Sequence, residues 1–221
     1  LIDRTPVRRG RETVPAKWGT AQALLVGDYL AATAYERLCV HCSPAVLRSL
    51  AAAVGCMCEA EIEALAAHAV DRRSYIAITA GKTGALMAAA CEVGAIEAGA
   101  DQLSVEVLSG FGRDLGIAFQ IADDMLDVYR QPSETGKPVG QDIRTGQPNL
   151  AVIMAIEADE TGRLRQVLER ARLDGQAPDD AVAEALEMVQ RTVPPARVRE
   201  EAERFAARAL WRAGRFSGPF Q

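Results

Sequence analysis

Apolar residues recur with the 3.6-residue period of an α-helix along almost the whole chain. No segment shows the sustained alternation of apolar and polar residues that is typical of a strand, and no Asn-Gly or Asp-Gly pair joins two β-branched runs. This pattern predicts an all-α fold, with a single-domain helical bundle over residues 1–221. The helices are predicted at about 19–38, 43–54, 56–71, 73–97, 101–130, 148–157, 160–173, 178–191 and 195–213.

Two segments interrupt the helical pattern. Residues 1–18 are basic and contain Pro6, Gly10 and Pro15, and residues 131–148 are rich in Gly and Pro. Loops of this length in a compact domain are usually functional or disordered. Helix starts are predicted at Ser43-Pro44, at Ala177-Pro178, at Asp101, and at Asp159 or Glu160.

The composition excludes several classes of protein. The chain is 49% hydrophobic and 25% charged but only 5% aromatic, so its interior must consist mainly of Ala, Leu, Val and Ile. A net charge of -5 without a basic, aromatic-rich stripe argues against nucleic-acid binding. No uninterrupted apolar run reaches the roughly 18 residues of a membrane span. We also find no secretory signal, and because the chain begins at Leu1 we expect the native protein to start earlier.

The five cysteines, an odd number, argue against a closed disulfide framework and favour a reducing, cytoplasmic compartment. Cys39 and Cys42 have zinc-like spacing, but Cys56 and Cys58 lack the two-residue spacer. We therefore expect small buried core residues at these positions rather than a zinc site.

An acidic helix face is the most unusual local pattern, in the segment GIAFQIADDMLD at residues 116–127. At about 100° per residue, Gln120, Asp123, Asp124 and Asp127 share one face. Three carboxylates this close raise each other's pKa unless a cation neutralises them. Oxygen ligands at this density suit Mg²⁺, which is usually shared with substrate phosphates. A solvated helix face is the alternative.

Basic side chains in three places are candidates for phosphate binding. Arg8 and Arg9 lie in the first loop, where guanidinium groups can bind phosphate oxygens bidentately. Lys82, followed by Thr83, interrupts an apolar helix, and Lys137 lies in the loop after the aspartates. The alternatives are solvated loop charges for the arginines, a turn residue for Lys137 and a surface-reaching side chain for Lys82.

Four segments, in order, resemble the trans-isoprenyl diphosphate synthases, or polyprenyl synthetases. FGRDLGIAFQIADDMLDV (111–128) is similar to that family's second Asp-Asp-x-x-Asp segment with its Phe-Gln pair, and GKPVGQDIRTGQPNL (136–150) to the following loop. YIAITAGKTGALMAAACEVGA (75–95) resembles the Lys-Thr helix, and WGTAQALLVGDYL (18–30) the Gly-Asp-Tyr-Leu helix. The resemblance runs to about residue 155 and implies a helical bundle of the isoprenoid synthase type with a central cavity.

The first ten residues, LIDRTPVRRG, resemble the end of the family's first Asp-Asp-x-x-Asp segment followed by Arg-Arg-Gly. On this interpretation Asp3 is the last aspartate of the first metal-binding motif. The N-terminal helices that would precede it are missing from this chain, and we expect the native protein to contain them.

The resemblance implies a Mg²⁺-dependent prenyltransferase. Such an enzyme condenses an allylic diphosphate with isopentenyl diphosphate to make a longer trans-polyprenyl diphosphate, and the family is typically homodimeric. Asp3 and Asp123 would bind Mg²⁺ directly, with Asp124 and Asp127 binding or orienting its waters.

The resemblance also assigns the basic residues. Lys82 and Lys137 would hold the allylic diphosphate with Arg8 beside it, and Arg9 would face the second diphosphate. The residues implied to line the cavity near the reacting carbons are Thr83, Phe119 and Gln120.

One position departs from the family pattern, because Gln147 stands where the family usually has lysine. This departure leaves open a related all-α terpene cyclase or a non-elongating relative. The truncated first motif leaves open a non-catalytic regulatory subunit of a prenyl synthase. Product chain length is not determined by these residues.

Overall fold

A computed structural model describes residues 6–8, 10–66, 71–130 and 139–216. Within these ranges the chain is almost entirely helical, which confirms the all-α prediction. The chain forms two compact units, residues 1–48 and residues 49–221. The prediction of one domain over residues 1–221 stays a prediction.

In the first unit, the described residues start with a short antiparallel hairpin. Strand β1 (Val7–Arg8) pairs with β2 (Arg11–Glu12), and Gly10 occupies the turn with a φ of 74°, a conformation that favours glycine. The hairpin is followed by α1 (Val14–Trp18), with a proline in its first turn, and by α2 (Thr20–His41). The expectation that residues 1–18 lack helical structure is therefore wrong at α1, because proline is well tolerated at a helix start.

The described part of the second unit is built from helices. Helix α3 begins at Pro44 in the first unit and continues to Ala66 in the second. The elements that follow are α4 (Arg72–Thr79), a π-helical segment (Ala80–Gly84), α5 (Ala85–Glu97), α6 (Gln102–Tyr129), α7 (Gln141–Thr145), α8 (Leu150–Ala158), α9 (Arg163–Asp174), α10 (Asp179–Thr192) and α11 (Pro195–Ala213).

The core of the second unit is centred on α8, whose sequence LAVIMAIEA is apolar on nearly every side. A helix that is hydrophobic all round must be surrounded by other elements. Val152 and Ala155 are fully buried, and the core around them includes Ile121 of α6, Leu164 of α9 and Val189 of α10. Thus the face of α6 next to the acidic residues is anchored in the core.

Glycines allow the π-helical segment and α5 to pack closely along α6. A Cβ atom at Gly116 would lie 2.7 Å from the Cα atom of Gly84, and one at Gly112 would lie 2.3 Å from the carbonyl oxygen of Met87. Such distances are possible only without a side chain. The backbones of the two helices therefore approach closely enough for their short polar side chains to meet.

Several predicted boundaries are corrected. One helix, α3, replaces the two predicted at 43–54 and 56–71, because Gly55 weakens a helix without ending it. The predicted helix at 73–97 contains the π-helical segment, and α7 lies inside the predicted loop at 131–148. Asp159 does accept a hydrogen bond from the Leu164 backbone, yet the helix begins only at Arg163.

Two further expectations concern the surface. The cysteines are free. The expectation of buried core residues is wrong for Cys39, Cys56 and Cys58, which are exposed, whereas Cys42 is partly buried. One helical stretch among the described residues, Arg72–Glu97, is long and apolar enough to cross a membrane by length and composition. It contains the π-helical segment with Lys82 and packs along α6. The absence of a membrane span stays a prediction.

Candidate active site

Helix α4 places a tyrosine against the acidic face of α6. The side chain of Asp71 accepts a hydrogen bond from the Ser74 backbone at 2.7 Å and so caps the start of α4. Tyr75 follows and is only 7% exposed. Its hydroxyl donates a 2.6 Å hydrogen bond to Oδ2 of Asp124.

The second oxygen of Asp124 is bound from its own helix. Nε2 of Gln120, one turn earlier, donates to Oδ1 of Asp124 at 2.7 Å. The Thr83 hydroxyl in turn donates to Oε1 of Gln120 at 2.8 Å. A continuous chain of hydrogen bonds therefore runs from α4 through α6 to the π-helical segment, a type of helical distortion that is frequent at functional sites.

Asp127 connects α6 to the start of α7. Its two carboxylate oxygens accept hydrogen bonds from the backbone N–H groups of Gln141 and Asp142, each at 3.0 Å. The side chain of Asp142 accepts a hydrogen bond from Nδ2 of Asn149 at 2.8 Å. This arrangement adds a fourth carboxylate to the three on the acidic face of α6.

Burial changes the acidity of three groups in this region, Asp142, Asp124 and Tyr75. Burial, followed by the neighbouring charges of Asp127 and Asp124, raises the pKa of Asp142 to about 8. Burial also raises the pKa of Asp124, although the hydrogen bonds from Tyr75 and Gln120 oppose that rise. Burial and the Asp124 charge raise the pKa of Tyr75, so its hydroxyl remains a donor at neutral pH.

Lys82 has an anionic partner on α3. Its Nζ atom lies 2.7 Å from Oε2 of Glu61, and both side chains are partly buried. The lysine is thus neither a free surface charge nor paired with the aspartates of α6.

The remaining predicted site residues are distributed as follows. Asp123 is exposed and has no hydrogen-bond or ion-pair partner among the described residues, and Phe119 is 55% exposed. Arg8 is exposed on β1 of the first unit. The predicted residues that lie outside the described ranges are Asp3, Arg9 and Lys137.

Three side chains in this region were missed by sequence reasoning. Tyr75 and Asp142 both lie inside segments that carry the family resemblance, so their position was a usable signal. Glu61 lies in a helix with several other glutamates and had no distinguishing signal.

The donor atoms fit a hard divalent cation. The side chains of Asp123, Asp124, Asp127 and Asp142 offer only oxygen, and no ion pair joins them to another side chain in the described part of the chain. In that same part, no three acidic, histidine or cysteine side chains converge tightly enough to hold a metal ion alone. Carboxylate oxygens are the ligands that hard divalent cations prefer, and such cations commonly retain waters and bind substrate phosphates.

The fold and this site define an all-α protein whose acidic helix suits a hard cation beside a lysine-bearing π-helical segment. A family model described as polyprenyl synthetase matches residues 1–189. The chain therefore belongs to the polyprenyl synthetase family.

Individual relatives agree with this assignment. The chain is 33% identical over 216 residues to heptaprenyl diphosphate synthase component 2 of Geobacillus stearothermophilus, covering 95% of this chain and 65% of that protein. It is 38% identical over 202 residues to a (2E,6E)-farnesyl diphosphate synthase of Mycobacterium bovis, covering 86% of this chain and 55% of that protein. The chain thus spans less than two thirds of the length of these curated relatives.

A solved structure shows the same fold. The polyprenyl synthase of Caulobacter crescentus, complexed with calcium and isoprenyl diphosphate, matches with a TM-score of 0.88 and 32% identity. The match covers 98% of this chain and 67% of that one.

Proposed function

We propose that this protein is a Mg²⁺-dependent prenyltransferase that condenses an allylic diphosphate with isopentenyl diphosphate to make a longer trans-polyprenyl diphosphate. The observation that carries the proposal is the hydrogen-bonded array of Thr83, Gln120 and Asp124, next to Lys82 and beside the other carboxylates. This region combines carboxylates that can hold a divalent metal ion with the ammonium group of Lys82, which can bind an anionic leaving group. The names of the relatives support the reaction class.

Asp123, Asp124 and Asp127 of α6, together with Asp142, would hold the divalent ion. When bound, the ion would neutralise the departing diphosphate and so lower the barrier for its release. Asp123 is the exposed carboxylate without a described partner, so it is the first candidate for direct coordination. Asp124 and Asp127 already accept two hydrogen bonds each and would bind or orient the waters of the metal ion. Asp3 belongs to the proposal through the family resemblance.

Lys82 would bind the allylic diphosphate after its ammonium group leaves Glu61, with Lys137, Arg8 and Arg9 as further phosphate ligands by resemblance. The C–O bond to diphosphate then breaks, and the double bond of isopentenyl diphosphate supplies the electron pair for the new C–C bond. Loss of a proton completes the product.

The array at Thr83 and Gln120 would stabilise positive charge on the reacting carbons through its oxygen atoms. An apolar cavity would exclude water, which would otherwise quench the allylic cation. Phe119 would contribute to that cavity. The reaction requires no nucleophilic side chain.

A second candidate is the role of one subunit in a two-component synthase. The observation that favours it is the similarity to a relative named heptaprenyl diphosphate synthase component 2. The exposed apolar side chains of α2, among them Leu25, Tyr29 and Leu30, are suited to contact another chain.

For the prenyltransferase itself, we propose a homodimer in the cytoplasm as the simplest assembly.

The test is prenyl transfer by the full-length protein with Mg²⁺, isopentenyl diphosphate and dimethylallyl, geranyl or farnesyl diphosphate in turn. We expect a longer prenyl diphosphate, abolished by a chelator, and a loss of roughly a hundredfold in kcat for Asp123→Asn. The matched control is Glu106→Gln, an exposed carboxylate on the same helix that accepts a hydrogen bond from Gln102. Its activity should equal that of the wild type.

Other outcomes have a defined meaning. A cyclic hydrocarbon made without consumption of isopentenyl diphosphate would replace the proposal with a terpene cyclase. Activity that depends on a second polypeptide would favour the two-component assembly. A folded full-length protein that makes no product with any primer would contradict the proposal.

A further inference from the structure

The hydroxyl of Tyr75 is used differently from that of the other tyrosine bound at the core of the second unit. Tyr129 is half-buried, and its hydroxyl donates to the backbone carbonyl of Val193 at 2.8 Å. Tyr75 is more deeply buried and donates instead to a carboxylate of the candidate site. The bond from Tyr129 joins α6 to the residue after the end of α10, whereas the bond from Tyr75 reaches a functional carboxylate.

The Asp124 carboxylate is held from both sides. Tyr75 binds Oδ2 and Gln120 binds Oδ1, at 2.6 Å and 2.7 Å. Both distances lie at the short end of the range for side-chain hydrogen bonds. With both oxygens bound, rotation of the carboxylate would break at least one of these bonds, so its plane is set by α4 as much as by its own helix.

The same constraint extends to Gln120 and Thr83. Because Nε2 of Gln120 is directed at Asp124, its Oε1 atom is directed away from Asp124 and accepts from Thr83. The orientation of the Gln120 amide is therefore determined by Asp124, whose own orientation depends on Tyr75.

We infer that Tyr75 is a positioning residue that holds the Asp124 carboxylate, and through it Gln120 and Thr83, in the geometry that the reaction needs. This inference deepens the proposed function and rests on it for its catalytic meaning. Tyr75 itself touches neither substrate nor metal in this role. It acts by removing the rotational freedom of Asp124 before any ligand binds.

The first experiment measures metal binding without substrate. Mn²⁺ binding to the full-length protein is followed by electron paramagnetic resonance for the wild type, Tyr75→Phe and Tyr129→Phe. Freeing one side-chain rotamer should weaken Mn²⁺ binding by roughly two- to tenfold in Tyr75→Phe. Tyr129→Phe also deletes one tyrosine hydroxyl and one hydrogen bond, yet its Mn²⁺ affinity should equal that of the wild type.

The second experiment tests whether Tyr75 acts through Asp124. In an Asp124→Ala background, adding Tyr75→Phe should cause no further loss of Mn²⁺ affinity, since the carboxylate that Tyr75 binds is already removed. An equal loss in both backgrounds, or an equal loss in Tyr129→Phe, would overturn the inference. Unchanged Mn²⁺ affinity in folded Tyr75→Phe would overturn it as well.

The third experiment separates this inference from the proposed function. If prenyl transfer is observed, Tyr75→Phe should lower kcat at least tenfold, on the order expected for lost positioning of catalytic groups. The KM values for both diphosphates should stay unchanged, because the hydroxyl binds no substrate. If the wild type binds Mn²⁺ in a Tyr75-dependent way but transfers no prenyl group, positioning stands and the proposed function fails.

Discussion

The ammonium group of Lys82 lies 2.7 Å from Oε2 of Glu61, so the lysine of the π-helical segment is neutralised before any diphosphate arrives. Both side chains keep part of their surface in solvent, at 34% for Lys82 and 22% for Glu61. The pair is therefore weak enough to open when a doubly charged phosphate group competes for the lysine. Glu61 and the diphosphate should compete for one cation.

Replacing Glu61 with glutamine should strengthen diphosphate binding. Removing a partly exposed ion pair is worth about 0.2–1 kcal/mol, so affinity for inorganic diphosphate should rise by roughly 1.5- to 5-fold in calorimetric titrations with Mg²⁺ present. Glu63→Gln, an exposed glutamate on the same helix, is the control and should leave affinity unchanged. Weaker binding in Glu61→Gln would mean that Glu61 orients Lys82 productively instead of competing for it.

The raised pKa of Asp142 predicts a pH-dependent stability. A carboxylate has an unfolded pKa near 3.9, and the folded pKa of Asp142 is about 8. Folding favours the protonated form of the Asp142 side chain. The stability that this group contributes to the folded protein is therefore fully present below about pH 4 and is lost as the pH rises through about 8. Without metal, Asp142→Asn should therefore unfold at a higher temperature than the wild type at pH 8.

The controls for this prediction are metal and a second variant. Added Mg²⁺ should reduce the difference between wild type and Asp142→Asn, because a bound cation favours the ionised carboxylate. Asp28→Asn, an exposed aspartate on α2, should follow the wild type at each pH in thermal unfolding. Parallel pH profiles for wild type and Asp142→Asn would refute the prediction.

The close packing of Gly116 on Gly84 predicts that alanine is not tolerated there. The added Cβ atom would lie 2.7 Å from a backbone atom, and overpacking of this kind destabilises by about 1–3 kcal/mol. The helices would have to separate, which would lengthen the hydrogen bond between Thr83 and Gln120. Activity should therefore fall by more than the smaller fraction of folded protein explains. Urea unfolding and prenyl transfer measure the two effects.

Gly94→Ala is the matched control for that substitution. Gly94 is also helical, but an added Cβ atom would meet no other atom within 4 Å. Alanine there should stabilise the helix by about 0.5–1 kcal/mol. Equal stability changes in the two variants would contradict the packing argument.

The buried carboxylate of Asp114 predicts that the arginines of α11 that contact it contribute more to stability than an arginine of the same helix that does not. Arg208 and Arg212 each lie 3.0 Å from an oxygen of Asp114, which is only 2% exposed. Replacing both arginines with glutamine leaves a buried carboxylate without a cationic partner and should destabilise by about 3–5 kcal/mol in urea unfolding.

Arg204, one turn earlier on the same helix, provides the control. It is 74% exposed and pairs with Glu201 on its own helix. Arg204→Gln should change the free energy of unfolding by about 0–1 kcal/mol. A comparable loss in Arg204→Gln and in the double variant would show that the Asp114 contacts do not anchor α11.

Relationships within one helix were predictable from the sequence. The helical period placed Gln120 and Asp124 on one face, and the structure joins them by a 2.7 Å hydrogen bond. The predicted cap at Asp101 is confirmed by its bond to the Ser104 backbone. The predicted break near Gly55 is wrong, because a single glycine weakens a helix by only about 1 kcal/mol and its alanine-rich neighbours continue it.

The all-α class, the family and the acidic face of α6 were predictable from the sequence, because they depend on local periodicity and on motifs that lie within one segment. The partners of that face depend on the tertiary structure. Tyr75 and Asp124 are 49 residues apart, and Lys82 and Glu61 come from different helices. Which distant side chains meet depends on how closely the backbones of packed helices approach, here at Gly84 and Gly116, and that distance is set by three-dimensional packing.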